Sequence, residues 1–230
     1  LKVLTAVLKT ARPAVGGTAV QSAGKITLRQ TKSSAKGGNK VVALACSTGG
    51  PKALQSVIPY LPKNLNAPMV LVQHMPEGFT KSMADRLNEV SPIHVKEAAD
   101  GDVLEKGTVY IAPGGKHMEV KKTADGRHKI QLNEMPPIGG LRPCANITYD
   151  SLRTCGYDEV VCVVLTGMGA DGTNGILSLA KSKPVYVIAQ NAQTCVVYGM
   201  PKAIVETGMV NEVVPLTEIA QTITKNVGVQ

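Results

Sequence analysis

The chain has 230 residues, of which 43% are apolar, 18% charged and only 3% aromatic, and its formal net charge is +8. A globular protein of this length buries a substantial core. No apolar run reaches the ~20 residues that a membrane-spanning helix needs, so we expect no direct membrane insertion.

The positive charge belongs to the start of the chain. Residues 1–40 carry eight basic residues and no acidic one. Of the 25 Lys and Arg residues, 17 therefore remain in 41–230, where they equal the 17 Asp and Glu residues. Because nucleic-acid binding depends on a positively charged surface, we expect no nucleic-acid partner for the neutral body of the protein.

The first 39 residues have the composition of a linker. Apolar residues of LKVLTAVLKTA are spaced like one face of a short helix, and the stretches RPAVGGTAVQSAGK and QTKSSAKGGNK are rich in Gly, Ser and Lys. We predict a basic flexible linker at 1–39 and a globular domain at 40–230. Because the chain opens with Leu rather than Met, we expect it to be a fragment of a longer protein.

From residue 40 onward, apolar strands alternate with helices. EGFTKSMADRLNEV is a predicted amphipathic helix with Phe79, Met83 and Leu87 on one face. Continuous apolar runs are typical of strands covered on both faces. The predicted strands of this kind are VVALAC, PMVLVQH, EVVCVVLTG, PVYVIAQ and MVNEVV, and the other predicted helices are PKALQSVIPYL, ANITYDSLRTC, GILSLAKS, MPKAIVETG and LTEIAQTITKNV.

The middle of the chain contains shorter strands. HVKEA and TVYIAP precede HMEVKK and HKIQL, which are separated by Asp125-Gly126 and are predicted to form a hairpin. Taken together, the pattern predicts an α/β fold: a doubly wound, largely parallel sheet flanked by helices in a three-layer, Rossmann-like arrangement, with an added antiparallel hairpin.

The five cysteines are an odd number and include no C-x-x-C pair. This disfavours both a zinc site and a disulfide framework. We predict reduced, mostly buried thiols in a cytoplasmic protein.

Three polar groups follow predicted apolar strands. Ser47 and Thr48 come after VVALAC, His74 after MVLVQ, and Asp171 lies in TGMGADGTNG after VVCVVL. Parallel strands bring their carboxyl ends to one edge of a sheet, so these side chains become available to each other. A serine nucleophile needs such a set: a base that takes its proton and a carboxylate that fixes the tautomer of the base.

Glycines accompany these groups. Gly49 and Gly50 allow a sharp turn that places Ser47 beside the N-terminus of the next helix, where a developing negative charge is favoured. Two backbone amides aimed at one point form an oxyanion hole, in which each contributes about 3 kcal/mol. A second concave group of amides is expected at the glycines of TGMGADG: Gly167, Gly169 and Gly172.

Other interpretations of the same residues stay open at this point. STGG is also typical of a plain strand–helix turn, His74 of a core histidine, and Asp171 of a turn residue. The frame around Ser47 departs from the G-x-S-x-G elbow. The glycine turns also fit a Rossmann-like nucleotide-binding module without hydrolase activity. A thiol hydrolase using Cys46 is a further alternative, although burial in the strand would make that thiol inert.

Several stretches nevertheless resemble the catalytic domain of the bacterial chemotaxis protein-glutamate methylesterases, which are also receptor glutamine deamidases. The resemblance runs from about Val41 to Leu216, and HMPxxFT together with TGMGxDG forms a specific signature. The similar stretches include VVALACSTGGPKAL, VQHMPEGFTKSMADRLN, LTGMGADGTNGIL and IAQNAQTCVVYGMPKAI.

The resemblance implies roles for individual residues. Ser47 matches the nucleophile, His74 the general base and Asp171 the orienting carboxylate. Met168 matches the residue whose backbone amide helps to hold the oxyanion, and Thr48 lies in the active-site turn. The implied reaction is hydrolysis of glutamate γ-methyl esters, and deamidation of glutamine, on chemoreceptors during sensory adaptation in chemotaxis. It requires no metal or organic cofactor.

The resemblance also implies partners. These are the cytoplasmic helical domain of methyl-accepting chemoreceptors and, in a full-length protein, an N-terminal receiver domain, of which residues 1–39 would be the end and the linker. Two departures stand out. Ala45-Cys46 replaces Gly-Ala before STGG, and LRPCAN (141–146) replaces H-R-P-S-V-D. We expect the second change to leave the catalytic triad untouched and to affect the rim that meets the receptor.

Overall fold

The computed structural model describes residues 38–230. The predicted linker, with its short apolar helix, therefore lies almost entirely outside the described residues. Within them, the nine strands and six α-helices alternate at both ends, and four strands follow one another in the middle, as the hydrophobic pattern predicts.

Seven of the nine strands form one sheet, in the order β3-β4-β2-β1-β7-β8-β9, and every neighbouring pair in it is parallel. The chain starts near the middle of the sheet and winds outward in both directions, which is the predicted doubly wound arrangement. The strands are β1 Lys40–Cys46, β2 Met69–Gln73, β3 His94–Glu97, β4 Thr108–Ile111, β5 His117–Lys122, β6 His128–Asn133, β7 Glu159–Val164, β8 Val185–Gln190 and β9 Glu212–Val214.

Helices cover both faces of this sheet and create two separate apolar cores. Helices α1, α2 and α6 bury residues in one core, and α3, α4 and α5 in the other. The predicted three-layer fold is confirmed. The helices are α1 Gly50–Gln55, α2 Phe79–Val90, α3 Ala145–Ser151, α4 Thr173–Ala180, α5 Met200–Glu206 and α6 Ile219–Val227.

The predicted hairpin is also confirmed. Strands β5 and β6 form an antiparallel pair of their own, and Gly126 takes the left-handed conformation in the turn between them with φ of 86°. The hairpin packs against α3, where the Thr148 hydroxyl donates a hydrogen bond of 2.7 Å to the Met118 carbonyl. This contact attaches the hairpin beside the segment that leads into α3.

Two local predictions differ from the structure. The helix expected over PKALQSVIPYL ends at Gln55, and a 3-10 turn, Ile58–Tyr60, follows it. Pro59 has no N–H to continue the helical ladder and disfavours helical geometry at the residue before it. In α2, Leu87 is buried as expected, but Phe79, at the first position of the helix, is 63% exposed.

In the part of the chain that the structure covers, each helix is too short or too polar to cross a bilayer.

Candidate active site

Ser47 lies directly beyond the end of β1, at the carboxyl edge of the sheet. Its N–H donates a hydrogen bond of 3.0 Å to the Thr166 carbonyl, which belongs to the segment after the neighbouring strand β7. Gly49 then takes a left-handed conformation, with φ of 84°, so that α1 begins only three residues after the serine. This tight turn leaves Ser47 partly exposed.

His74 follows β2 in the same way, and its ring contacts Asp171. The Nε2 atom of His74 lies 2.7 Å from Oδ2 of Asp171, and the two side chains are only 8% and 5% exposed. The carboxylate accepts, so Nε2 carries a proton, and in the neutral form of the ring Nδ1 is the nitrogen with the lone pair. Two residues 97 positions apart are thus paired at the sheet edge, as the strand-end rule predicts.

The Asp171 carboxylate accepts four more hydrogen bonds besides that of His74. The backbone N–H groups of Ala145, Asn146 and Gly172 donate at 2.6, 3.0 and 2.9 Å, and the Cys144 thiol donates at 3.2 Å. The 144–146 segment therefore holds the carboxylate directly. The expectation that the departures in LRPCAN leave the triad untouched was wrong, because the chain enters α3 immediately against this side chain.

These contacts determine the ionisation of Asp171. Burial by itself would raise the pKa of the carboxyl group, but the hydrogen bonds from His74, from the amides of Ala145 and Asn146 and from the Cys144 thiol outweigh it and lower the pKa below its ordinary value. Asp171 is consequently a carboxylate at neutral pH and keeps the His74 proton on Nε2.

The segment after β7 closes around Ser47. The Thr166 hydroxyl donates a hydrogen bond of 2.9 Å to the Thr48 carbonyl. A Cβ atom on Gly167 would lie 2.9 Å from the Cβ of Ser47 and 2.3 Å from the Met200 sulfur. Only glycine allows this approach, so the structure brings the TGMG turn and the serine together.

Not every amide of this turn is available to an oxyanion. The N–H of Gly167 donates to the Val197 carbonyl at 2.9 Å, and that of Gly172 donates to Asp171. The expectation that these two glycines present amides to an oxyanion was therefore wrong. Among the hydrogen bonds within residues 38–230, none is donated by three other amides of the predicted site: those of Thr48, Met168 and Gly169.

An open pocket of about 350 Å³ lies at this edge of the sheet. Ser47 and His74 both line it, while Asp171 lies behind the imidazole. The rest of the wall is largely apolar, and Phe79, which is part of it, is 63% exposed. The other residues that line the pocket are Thr48, Gly49, Pro51, Gln73, Met75 and Pro76.

One buried residue at the site was not predicted. Gln73, the last residue of β2, is 2% exposed, and its Nε2 donates to the carbonyls of both Ser47, at 3.1 Å, and His74, at 2.9 Å. Its Oε1 accepts a hydrogen bond of 3.1 Å from the Cys46 thiol. The signal in the sequence was a polar residue at the end of an otherwise apolar strand. A buried amide at such a position needs hydrogen-bond partners.

The thiols near the site are not suited to nucleophilic attack. Cys46 is fully buried, which raises the pKa of its thiol far above the ordinary value. Four of the five cysteines are buried, and only Cys195 is partly exposed. Across residues 38–230, no three His, Cys, Asp or Glu side chains lie together in a group that could hold a metal ion.

Comparison with known proteins places this geometry in context. Residues 42–223 match the profile of a family described as CheB methylesterase. A protein of Bacillus subtilis (strain 168) named protein-glutamate methylesterase/protein-glutamine glutaminase is 49% identical over 187 residues, which are 81% of this chain and 52% of that protein. A protein of the same name from Pyrococcus horikoshii is 50% identical over 186 residues, covering 81% and 50% of the two chains.

Among solved structures, the Thermotoga maritima CheB methylesterase catalytic domain superposes with a TM-score of 0.77 at 42% identity. The match covers 81% of this chain and 98% of that one. The chain spans about half the length of the curated relatives it matches.

Proposed function

The chain belongs to the CheB methylesterase family, and from that premise we propose that it hydrolyses glutamate γ-methyl esters, and deamidates glutamine, through Ser47, His74 and Asp171. The observation that carries the proposal is the buried His74–Asp171 pair, 2.7 Å apart, behind a pocket that Ser47 also lines. An imidazole fixed by a carboxylate, next to a partly exposed serine, is the arrangement used for acyl transfer.

The chemical steps follow from the ring nitrogen that remains free. The Ser47 hydroxyl oxygen attacks the ester carbonyl carbon while Nδ1 of His74 takes the hydroxyl proton. The C–O bond to the methoxy group then breaks, and that proton leaves with it as methanol. Water, deprotonated by the same nitrogen, attacks the acyl-enzyme and releases glutamate and free serine. With a glutamine side chain, ammonia leaves in place of methanol.

Negative charge on the tetrahedral oxygen needs donors that are not engaged elsewhere. The Met168 amide, with the neighbouring amide of Thr48 in the turn after the nucleophile, meets that condition among the described residues. Each such donor stabilises the transition state by about 3 kcal/mol. The role of Gly167 is to allow the close approach to Ser47, since its own N–H is already used.

The proposed substrate is a side chain on the cytoplasmic helical domain of a chemoreceptor, and the process is sensory adaptation in chemotaxis. The open pocket, with the exposed Phe79 in its wall, suits the surface of a folded helix better than a threaded strand. We place the protein in the cytoplasm and its regulation in a receiver domain of the full-length protein, with residues 1–39 as the connection.

The test is release of volatile methanol from receptor membranes carrying labelled methyl esters. Ser47→Ala should reduce the release by at least about 10³-fold because no other group supplies the attacking oxygen. Ser56→Ala, which removes the hydroxyl at the end of α1, is the matched control and should behave like wild type. Methanol release by the Ser47→Ala variant at the wild-type rate would rule out the proposed nucleophile.

A further inference from the structure

We propose that Gln73 is a positioning residue that fixes the separation between the nucleophile and the base. This inference rests on the proposed roles of Ser47 and His74. Gln73 is one of the residues that line the pocket, but its amide is engaged with the backbone of Ser47 and His74 and with the Cys46 thiol. It acts through the backbone of Ser47 and His74, the two residues proposed to react.

The backbone ladder between β1 and β2 ends at the active site. Cys46 and Gln73 are the last pair in register, and the final backbone hydrogen bond joins the His74 N–H to the Cys46 carbonyl. Beyond it, the carbonyls of Ser47 and His74 belong to two diverging loops. A single atom, Nε2 of Gln73, donates to both of them.

The contacts of Oε1 determine the orientation of the Gln73 amide. Oε1 of Gln73 accepts the Cys46 thiol proton, and a Cβ atom on Gly50 would lie 1.9 Å from it. A flipped amide would turn its oxygen toward two carbonyl oxygens, which is repulsive. The side chain is therefore held in one orientation, in a space that only a glycine at position 50 leaves open.

The bridge matters because proton transfer depends steeply on geometry. A displacement of about 1 Å between reacting groups can lower a rate by about a hundredfold. Without the amide, the two carbonyls lose the common donor that fixes the distance between the Ser47 and His74 backbones. The expected consequence is a lower kcat with a smaller change in KM, since the other residues that line the pocket are unchanged.

Gln73→Met tests this by removing the amide while keeping the length of the side chain. We expect kcat for methanol release to fall about a hundredfold. The rate of Ser47 labelling by a fluorophosphonate should fall in parallel, because labelling depends on the same proton transfer and needs no receptor.

Tyr149→Phe is the matched control. The Tyr149 hydroxyl is another buried donor that bridges two strands, contacting the carbonyls of Ala43 at 3.2 Å and Val163 at 3.1 Å, and it touches neither Ser47 nor His74. Its removal should lower stability to a similar degree and leave kcat and the labelling rate within about twofold of wild type, since the geometry of the site is unchanged.

Gln73→Glu provides a second variant should the methionine variant not fold. Its new carboxyl group can donate a hydrogen bond only while protonated. The ratio of variant to wild-type activity should therefore fall as the pH rises, which a merely structural defect would not produce.

The outcomes distinguish failure of the proposed function from failure of the positioning role of Gln73. Activity retained by Ser47→Ala contradicts the proposed function. If Ser47→Ala is inactive but a folded Gln73→Met keeps wild-type kcat and labelling, or Tyr149→Phe loses activity equally, the positioning role of Gln73 is overturned. A pH-independent ratio for Gln73→Glu overturns it as well.

Discussion

At the scale of single residues, the Asp171 carboxylate is the most heavily bonded group of the site. Five donors converge on its two oxygens, and four come from backbone amides or from His74. The fifth is the Cys144 thiol, in a position where a serine would offer a stronger hydroxyl donor. The thiol thus contributes to holding this carboxylate ionised.

Cys144→Ala should therefore lower stability in a pH-dependent way. The pKa of Asp171 is lowered in the folded protein, so the stabilisation is fully present above the unfolded pKa and is lost as pH falls through the folded pKa. We expect a loss of roughly 1 kcal/mol in the free energy of unfolding at pH 7, which shrinks on acidification. Urea unfolding at a series of pH values measures it.

Two variants serve as controls for this prediction. Cys144→Ser should keep the pH-dependent part, because the hydroxyl also donates. Cys162→Ala removes a thiol that is buried in the apolar core and donates a hydrogen bond to the Val160 carbonyl, so its loss should be the same at every pH. A pH-independent loss for Cys144→Ala would mean that the thiol only fills space.

The sequence predicted which side chains would meet, but not how they are held. The strand-end rule brings His74 and Asp171 together because every parallel strand points its carboxyl end to the same edge. The donors to Asp171 and the availability of the Gly167 amide depend on loop dihedral angles. Those angles follow from tertiary packing, so apolar periodicity does not encode them.

At the scale of secondary structure, the turn from β1 into α1 depends on Gly49. Its φ of 84° is close to the 86° of Gly126 in the β5–β6 hairpin, so alanine meets the same backbone strain at both positions, roughly 1–2 kcal/mol. Only at Gly49 would the added Cβ also meet another side chain, Val196, at 2.6 Å.

Gly49→Ala and Gly126→Ala should hence differ in activity more than in stability. Both should lower the free energy of unfolding, but Gly49→Ala should also lower kcat at least tenfold, since it displaces Ser47 from the 166–172 segment. Gly126→Ala should keep wild-type kcat because nothing lies within 4 Å of its added Cβ. Thermal unfolding and methanol release measured on both variants decide this, and equal kcat values would contradict it.

The elements themselves were well predicted wherever apolar runs were long. Strands β1, β2, β7 and β8 were recognised because burial on both faces requires continuous apolar residues. The edge strand β3 and its neighbour β4 were recognised only as short strands, since four residues each are too few for the apolar pattern to reveal their neighbours in the sheet. The prediction was wrong for the C-terminal part of the first helix, because Pro59 has no N–H with which to continue the helical hydrogen bonds.

At the scale of the whole molecule, the first strand begins at a buried ion pair, next to the predicted boundary of the domain. Lys40, the first residue of β1, pairs with Glu159 at the start of β7 and also donates to the Asn226 carbonyl in α6. Both charged side chains are at most 4% exposed. Loss of one partner from such a pair strongly lowers the free energy of unfolding, because the other charge stays buried without compensation.

Removal of residues 1–37 should then leave the free energy of unfolding within about 0.5 kcal/mol of the full chain. Removal of residues 1–40 should cost at least about 3 kcal/mol, because Glu159 stays buried without its cation. Urea unfolding of the two truncated proteins measures the difference. A large loss of stability on removal of residues 1–37 alone would contradict the prediction that this segment is a linker.

The strand order has a consequence for how activity arises during synthesis. Ser47 and His74 belong to the half of the sheet that the ribosome completes first, whereas Asp171 and the 166–172 segment arrive with the other half, which docks along β1. A nascent or proteolysed amino-terminal half would carry the proposed nucleophile without the carboxylate that pairs with His74. On the proposed mechanism, turnover therefore begins only after both halves have assembled.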